Sequence, residues 1–521
     1  MVKYATDDDL RSFYERRHPA FYALEPHWRF LKQTYEGGRA WFDENIFKFH
    51  KEGRREFNDR RKRAYRFNHT RETVDLVQKY LFKADIARSP QAPQALQDFW
   101  ARASRANLDI DALMRLASTA NSVMGRSAIV VDNNLKPGAV TIAEAKAAGV
   151  RIYAYVVNAI DLLDYAYDED GDGRLLWVKI REIFRDDKDP LTSDGCITER
   201  VRLWTRDGWI LYEDQDVSPE GSKEPEMKVI QIDSGTHELG RVPVVFVDHN
   251  VGDHPYKVPG LIDDIAYLDK AVANYLSNLD AIIQDQTFSQ LAMPAQGLLP
   301  GEESYDKVLE LGTKRVFVYD GGAGNAAPEF ISPDPKQAGV ILTVINKIIN
   351  EIYHSVGLAG ERTKEDNSQG IDNSSGVAKA YDFDRVNSLL MSKAQACEIA
   401  ENEIAELVCL WAGEKVPTEK LVKYPETFDV MMLSDELMVA ESLGKIAAPI
   451  ELRREQMRMI VDKMFPRLTS DLKQKIRKDI DSWLEGTDIV LNPPTGFTGP
   501  KSPVAPSRQG QVTKQTPAGG K

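Results

Sequence analysis

Three stretches of this 521-residue chain carry residue types that bind ions or do chemistry. DEDGDG at 168–173 places Asp168, Asp170, Asp172 and Gly173 like the opening of a calcium loop, but its twelfth position is Lys179 where a bidentate Glu is needed. With strand-like flanks, it reads as a tight hairpin turn. HNVGDH brings His249, Asp253 and His254 close together in a loop after a strand, without the third convergent ligand a metal would need. Cys196, Cys397 and Cys409 have no metal-ligand spacing, and the eight histidines are scattered. YEGGRAW at 35–41 falls short of a phosphate loop, and GxxxxGK[ST], GxSxG, HExxH and CxxC are all missing from the sequence. No cofactor or metal is expected, and no residue set nominates an enzyme.

The remaining reactive stretch is electrostatic. RREFNDRRKRAYR, from Arg54 to Arg66, carries seven Arg or Lys against Glu56 and Asp59 and interleaves Phe57 and Tyr65. Arg54, Arg55, Arg60, Arg61, Lys62 and Arg63 have the chemistry to touch nucleic acid, to form intersubunit ion pairs, or to be a solvated surface. The net charge of −13 and pI near 5.3 argue against a protein that wraps DNA by neutralising phosphates. They are compatible with a conduit, whose wall should repel a polyanion and keep it moving. No apolar run approaches the roughly 20 residues of a membrane span, and the N-terminal stretch lacks a signal-peptide core. A protein of reducing cytoplasm without membrane contact is expected.

These residues need elements to position them. Leu261, Ile265, Leu268, Val272, Leu276, Leu279 and Ile283 recur at steps of three and four, predicting an amphipathic helix over 257–286. Its other face holds Asp263, Asp264, Asp269, Lys270, Asp280 and Asp285, either as a solvated face or as an acidic channel wall. A second helix over 336–356 repeats the plan, with Ile341, Val344, Ile345, Ile348 and Ile352 inward and Lys347 and Glu351 outward. Between them, a short helix at 301–311 and strands at 315–319 and 328–332 make a small α/β knob. Residues 359–376 are polar and turn-rich, and 377–411 is a long helix with Val386, Leu390, Ala394, Cys397, Ile404, Val408 and Trp411 on its buried side.

On either side the period changes. Residues 1–120 read as helical, with Thr6 and three following aspartates starting the first helix and with dense aromatics belonging to a core or subunit interface. Eight strands are predicted between 128 and 250, mostly antiparallel. Past Gly413 come a strand-like 428–433 and three helices near 434–447, 449–465 and 469–484, and then a Pro, Gly and Ser-rich tail expected to be disordered.

The order helix, knob, helix, loop, long helix resembles the portal proteins of tailed bacteriophages, as do VGLAGE at 356–361 and LGRVPVVFVDHN at 239–250. The resemblance implies an α+β subunit with a helical stem, a small α/β clip, a mixed α/β wing and a helical crown. Residues 1–256 would be wing, 257–293 the first stem helix, 294–335 clip, 336–358 the second stem helix and 359–376 the tunnel loop. The long wing helix and return strand would occupy 377–433, the crown 434–486 and the tail 487–521. A self-assembled ring, typically of twelve subunits, would sit at one capsid vertex of the virion after assembly in a bacterial cytoplasm. Its partners would be major capsid protein, scaffold, the terminase large subunit, a head-tail connector and the double-stranded DNA in its channel. Arg362, Thr363, Lys364, Glu365, Asp366, Asn367 and Asp372 would face DNA. Glu302, Glu303, Tyr305, Asp306, Lys307 and Arg315 would contact terminase and connector, and the stem carboxylates with Lys270, Lys347 and Glu351 would line the channel. Rival readings are a multidomain enzyme acting on nucleic acid or carbohydrate, and a non-portal capsid adaptor.

Overall fold

The computed structural model describes residues 6–83, 85–134, 151–218, 226–252, 256–287, 290–294, 316–319, 329–331, 334–357, 376–416, 418–426, 428, 440, 449–464 and 470–485. The tunnel-loop candidates and the six clip candidates lie outside these residues, as do the short helix expected at 301–311 and nearly all of the helix expected at 434–447. The chain divides into two compact units, Met1–Phe428 and Asp429–Lys521. It is an α+β protein.

The first unit begins with seven helices: α1 (Asp7–Glu15), α2 (Phe21–Glu36), α3 (Arg39–Asn45), α4 (Arg54–Arg63), α5 (His69–Leu81), α6 (Gln94–Ala101) and α7 (Ile110–Met124). Polar caps set their starts. Thr6, Asn68 and Asp109 each accept a hydrogen bond from a backbone N–H in the first turn of α1, α5 and α7. A short strand β1 (Ala87–Arg88) pairs with β13 (Val422–Lys423), neither of which the periodicity predicts, since two residues carry no period.

Two antiparallel sheets follow. β2 (Arg126–Asn133) is flanked by β3 (Ile152–Asn158) and β9 (Val244–Asp248). β4 (Leu162–Tyr167), β5 (Leu175–Arg185), β6 (Ile197–Thr205), β7 (Gly208–Asp216) and β8 (Met227–Thr236) form a meander in chain order. β2 explains its uniformly apolar AIVV. Ile129 and Val131 join the main core with Val74, Val77, Leu113 and Met114 of the helices, while Ala128 and Val130 pack with Val178, Ile180 and Trp204 of the meander. Both faces of this strand are buried, so alternation is lost. The DEDGDG stretch is the β4–β5 turn, with Gly173 at φ +65° and Arg206 bound to Asp168 and Asp172.

The helical hairpin comes next: α8 (Ile265–Thr287), then β10 (Gln290–Pro294), β11 (Val316–Tyr319) and β12 (Glu329–Ile331), then α9 (Pro335–Ser355). The knob strands form a sheet of order β11-β10-β12, centred on a strand that the sequence reading leaves out. α8 starts later than its periodicity predicts, because 258–261 runs against the end of α7. Leu261 N–H donates to Ser122 O at 2.9 Å, and a Cβ on Gly125 (φ +83°) would lie 1.7 Å from Val258 O. α10 (Gly376–Trp411) has 36 residues, which is about 54 Å of helix.

In the second unit, α11 (Ile450–Met464) and α12 (Ser470–Glu485) pair through Ile460, Ile480 and an Arg458–Asp481 bridge at 2.5 Å. Among the described residues no helix is long and apolar enough to cross a membrane.

Candidate functional site

α8 is buried along two stripes, and the second is the surprise. Ile265, Val272 and Leu276 face α9, where Ile345, Ile349 and Ile352 complete the hairpin core. Ala266, Asp269, Ala273 and Ser277 are also buried, again at steps of three and four. This second stripe meets the N-terminal helices. Ala273 packs with Trp41, Ile46 and Ala64 in a small separate cluster. Asn274 accepts from Phe47 N–H at 2.9 Å and donates to Asn45 O at 3.0 Å.

The basic run and the acidic face therefore find each other within one chain. Arg60, 5% exposed, donates to both oxygens of Glu52 at 2.8 Å, to Phe47 O at 2.7 Å and to Ser277 Oγ at 2.9 Å. Arg63 pairs with Asp280 at 3.2 Å and Arg61 with Asp43 at 3.3 Å. Arg66 lies over the Trp41 ring at 4.0 Å, donates to Thr34 O and reaches Asp269 Oδ2 at 3.4 Å. Thr70 Oγ1 donates to the same oxygen at 2.8 Å, and Asp269 Oδ1 has no partner among the described residues. Burial pushes the Asp269 carboxyl up, against the opposing pull of Arg66 and Thr70. Arg60 in turn holds the Glu52 carboxyl low.

The stem reading of α8 is corrected accordingly. Asp269 is fully buried and cannot line a channel. Asp263 sits 3.6 Å from His27, Lys270 lies over the rings of Phe30 and Phe47, and Asp280 holds Arg63. Of the polar face, Asp264 is exposed, while Asp285 is near the end of α8. On α9, Lys347 and Glu351 are exposed as expected, and Val340 and Leu342 are exposed beside them. Arg60 is likewise corrected from a surface contact to a buried cross-link, whereas Arg54, Arg55 and Lys62 stay exposed.

A cleft of about 700 Å³ opens where the hairpin meets α10. Pro259, Gly260 and Asp264 line it before and at α8, Ser355 and Gly357 at the end of α9, and Arg385, Ser388 and Ser392 on α10. Next to Ser392, Lys393 is buried. Its ammonium donates to Asn121 Oδ1 at 2.8 Å, Ser122 Oγ at 2.9 Å and His249 Nδ1 at 3.0 Å. Burial lowers Lys393 to about 8, and burial beside this cation holds His249 well below the usual imidazole range. His249, weighed and set aside as a metal ligand in the sequence, accepts here from the Lys393 ammonium as a neutral imidazole, while Asp253 and His254 lie outside the described residues. The sequence contained a signal for Lys393: it lies three residues after Leu390 and four before Cys397, on the apolar stripe of α10.

No protein-family profile and no curated relative matches this chain. Among solved structures it is similar to a chain of the neck of an empty gene transfer agent particle, computed with C6 symmetry. The TM-score there is 0.39 at 12% identity, over 74% of this chain and 89% of the other. A chain of the native gene transfer agent virion gives a TM-score of 0.36 at 11% identity, over 73% and 85%. A chain of the native particle's neck, computed with C12 symmetry, gives 0.38 at 10% identity, over 86% and 94%.

Proposed function

We propose that this chain is the repeating subunit of a portal ring in a phage-like particle, forming the channel through which double-stranded DNA is packaged and released. One observation carries the reading: a helical hairpin, α8 and α9, holds a small three-stranded sheet at its turn and is followed by a 36-residue helix. Helices repeated about an axis close a cylinder when each keeps one wet face and one packed face. α9 has both, with Ile345, Ile349 and Ile352 packed and Lys347 and Glu351 in solvent. The mixed sign of that wet face gives a polyanion no continuous cationic track to stick to.

In this reading 294–335 docks the terminase large subunit and later a head-tail connector, while the wing meets major capsid protein and scaffold. The terminase supplies the ATP chemistry and the chain described here is a conduit. Negative-stain imaging of the purified protein, with its native mass measured in parallel, tests the proposal. Rings of about twelve subunits around a duplex-wide hole are expected. A monomer or dimer that turns over a nucleic-acid or carbohydrate substrate and never closes into a ring overturns it.

A further inference from the structure

The segment around α4 keeps its contacts within the chain to one side. Arg60, Arg61 and Arg63 are spent on Glu52, Asp43 and Asp280. On the other side Lys48, Lys51, Arg54, Arg55 and Lys62 are exposed, and none of them makes an ion pair among the described residues. One large ring in the same segment, Phe49, is 57% exposed, whereas the Phe47 ring lies against Lys270 of α8. Residues 47–63 hold eight Lys or Arg against three Asp or Glu, a local charge of +5 in a chain of net −13, so the rest of the chain carries −18.

We infer that this basic, aromatic patch is an interface for a second copy of the same chain, seating the acidic surface of its neighbour; the inference rests on the ring reading above. Charge complementarity selects the occupant, because outside this patch the neighbouring copy brings a net charge of −18. The exposed Phe49 ring points the same way. Duplex DNA presents phosphates and sugars and leaves no unpaired base for a ring to stack on, whereas a protein face can cover the Phe49 ring and exclude water. A basic patch meeting an acidic patch elsewhere on the next copy is a heterologous contact, the kind that propagates around a ring.

The test is the double variant Arg54→Glu/Arg55→Glu, measured as the full chain by native mass and imaging beside the wild type. Both positions lie in the first turn of α4, where carboxylates favour the helix dipole, so the fold is retained and a thermal melt checks it. The variant is expected to need at least tenfold more protein to assemble, and wild-type assembly to weaken with added salt. Phe49→Ser is expected to weaken assembly in the same direction with little change in salt dependence. Rings from the double variant at wild-type concentration overturn this inference while leaving the ring reading standing. If those rings have also lost binding to a 30-base-pair duplex, the patch belongs to DNA instead. A wild type that stays monomeric overturns both.

Discussion

The first unit buries cations in two ways. Arg88, Arg66 and Arg126 each face a carboxylate: Glu401 at 2.6 Å, Asp269 at 3.4 Å and Asp248 at 2.5 Å. Lys179 and Lys393 have neutral acceptors alone. Lys179, the residue at the failed twelfth position of the calcium-loop reading, donates to Tyr14 O at 3.0 Å, Arg16 O at 2.6 Å and also Phe13 O, tying the end of α1 to β5. Lys393 ties α10 to α7 and to the end of β9. A guanidinium beside a carboxylate stays charged at any pH a protein meets. A buried ammonium bonded only to neutral acceptors has its charged form destabilised by burial, so these two tethers respond to pH above neutrality, where the guanidinium pairs do not.

The largest effect should come from breaking a pair. Arg88→Met leaves the buried Glu401 carboxylate with the Tyr424 hydroxyl at 2.7 Å, and should lower stability by about 3–5 kcal/mol in a urea titration. Lys393→Met removes a desolvated charge together with its hydrogen bonds, so the two terms partly offset and a loss of about 1–2 kcal/mol is expected. Equal losses for the two variants would erase the distinction between the tethers.

Titration sharpens it. Lys179 is lowered to about 7 and Lys393 to about 8, from 10.5 in the unfolded chain. Between those values and 10.5 the unfolded chain binds more protons at these two sites, so they should raise stability as pH goes from 7 to 9, before the raised thiols of Cys397 and Cys409 begin to oppose the trend, and Lys179→Met should flatten the rise. On the acid side His249 resists protonation because it is buried, and secondly because a second cation would then lie 3.0 Å from Lys393. Below pH 6.5 the unfolded chain takes up a proton that the folded chain refuses, and this site should contribute a loss of at most about 1.4 kcal/mol per pH unit. The melting temperature of His249→Gln should fall less than that of the wild type between pH 6.5 and 5; parallel falls would assign the acid lability elsewhere. The smallest change is expected from Asp280→Asn, since its partner Arg63 is half exposed: under about 1 kcal/mol by the same urea titration.

Much of the framework was legible in the residues. The spacing of apolar side chains predicts α8, α9 and α10 and the β4 to β8 meander to within a few residues at most ends, because period 3.6 and period 2 are local properties of a helix and a strand. Gly173 and the aspartates before it marked the β4–β5 turn. The partners of the polar residues were not legible. Asp269 and Arg66 are 203 positions apart, and His249 and Lys393 are 144 apart. A polar stripe looks the same in sequence whether it faces water or a second, distant set of helices.

By itself the sequence determined the element types, the order of hairpin, knob and long helix, and the acidic balance, since each follows from neighbours along the chain. Tertiary structure decided which charges are free. It sank Asp269 and Arg60 into a contact between α8 and the N-terminal helices and set Lys393 against His249, while leaving Arg54, Arg55 and Lys62 in solvent. The physical reason is that the cost of burying a charge depends on which partners the fold brings within hydrogen-bonding distance.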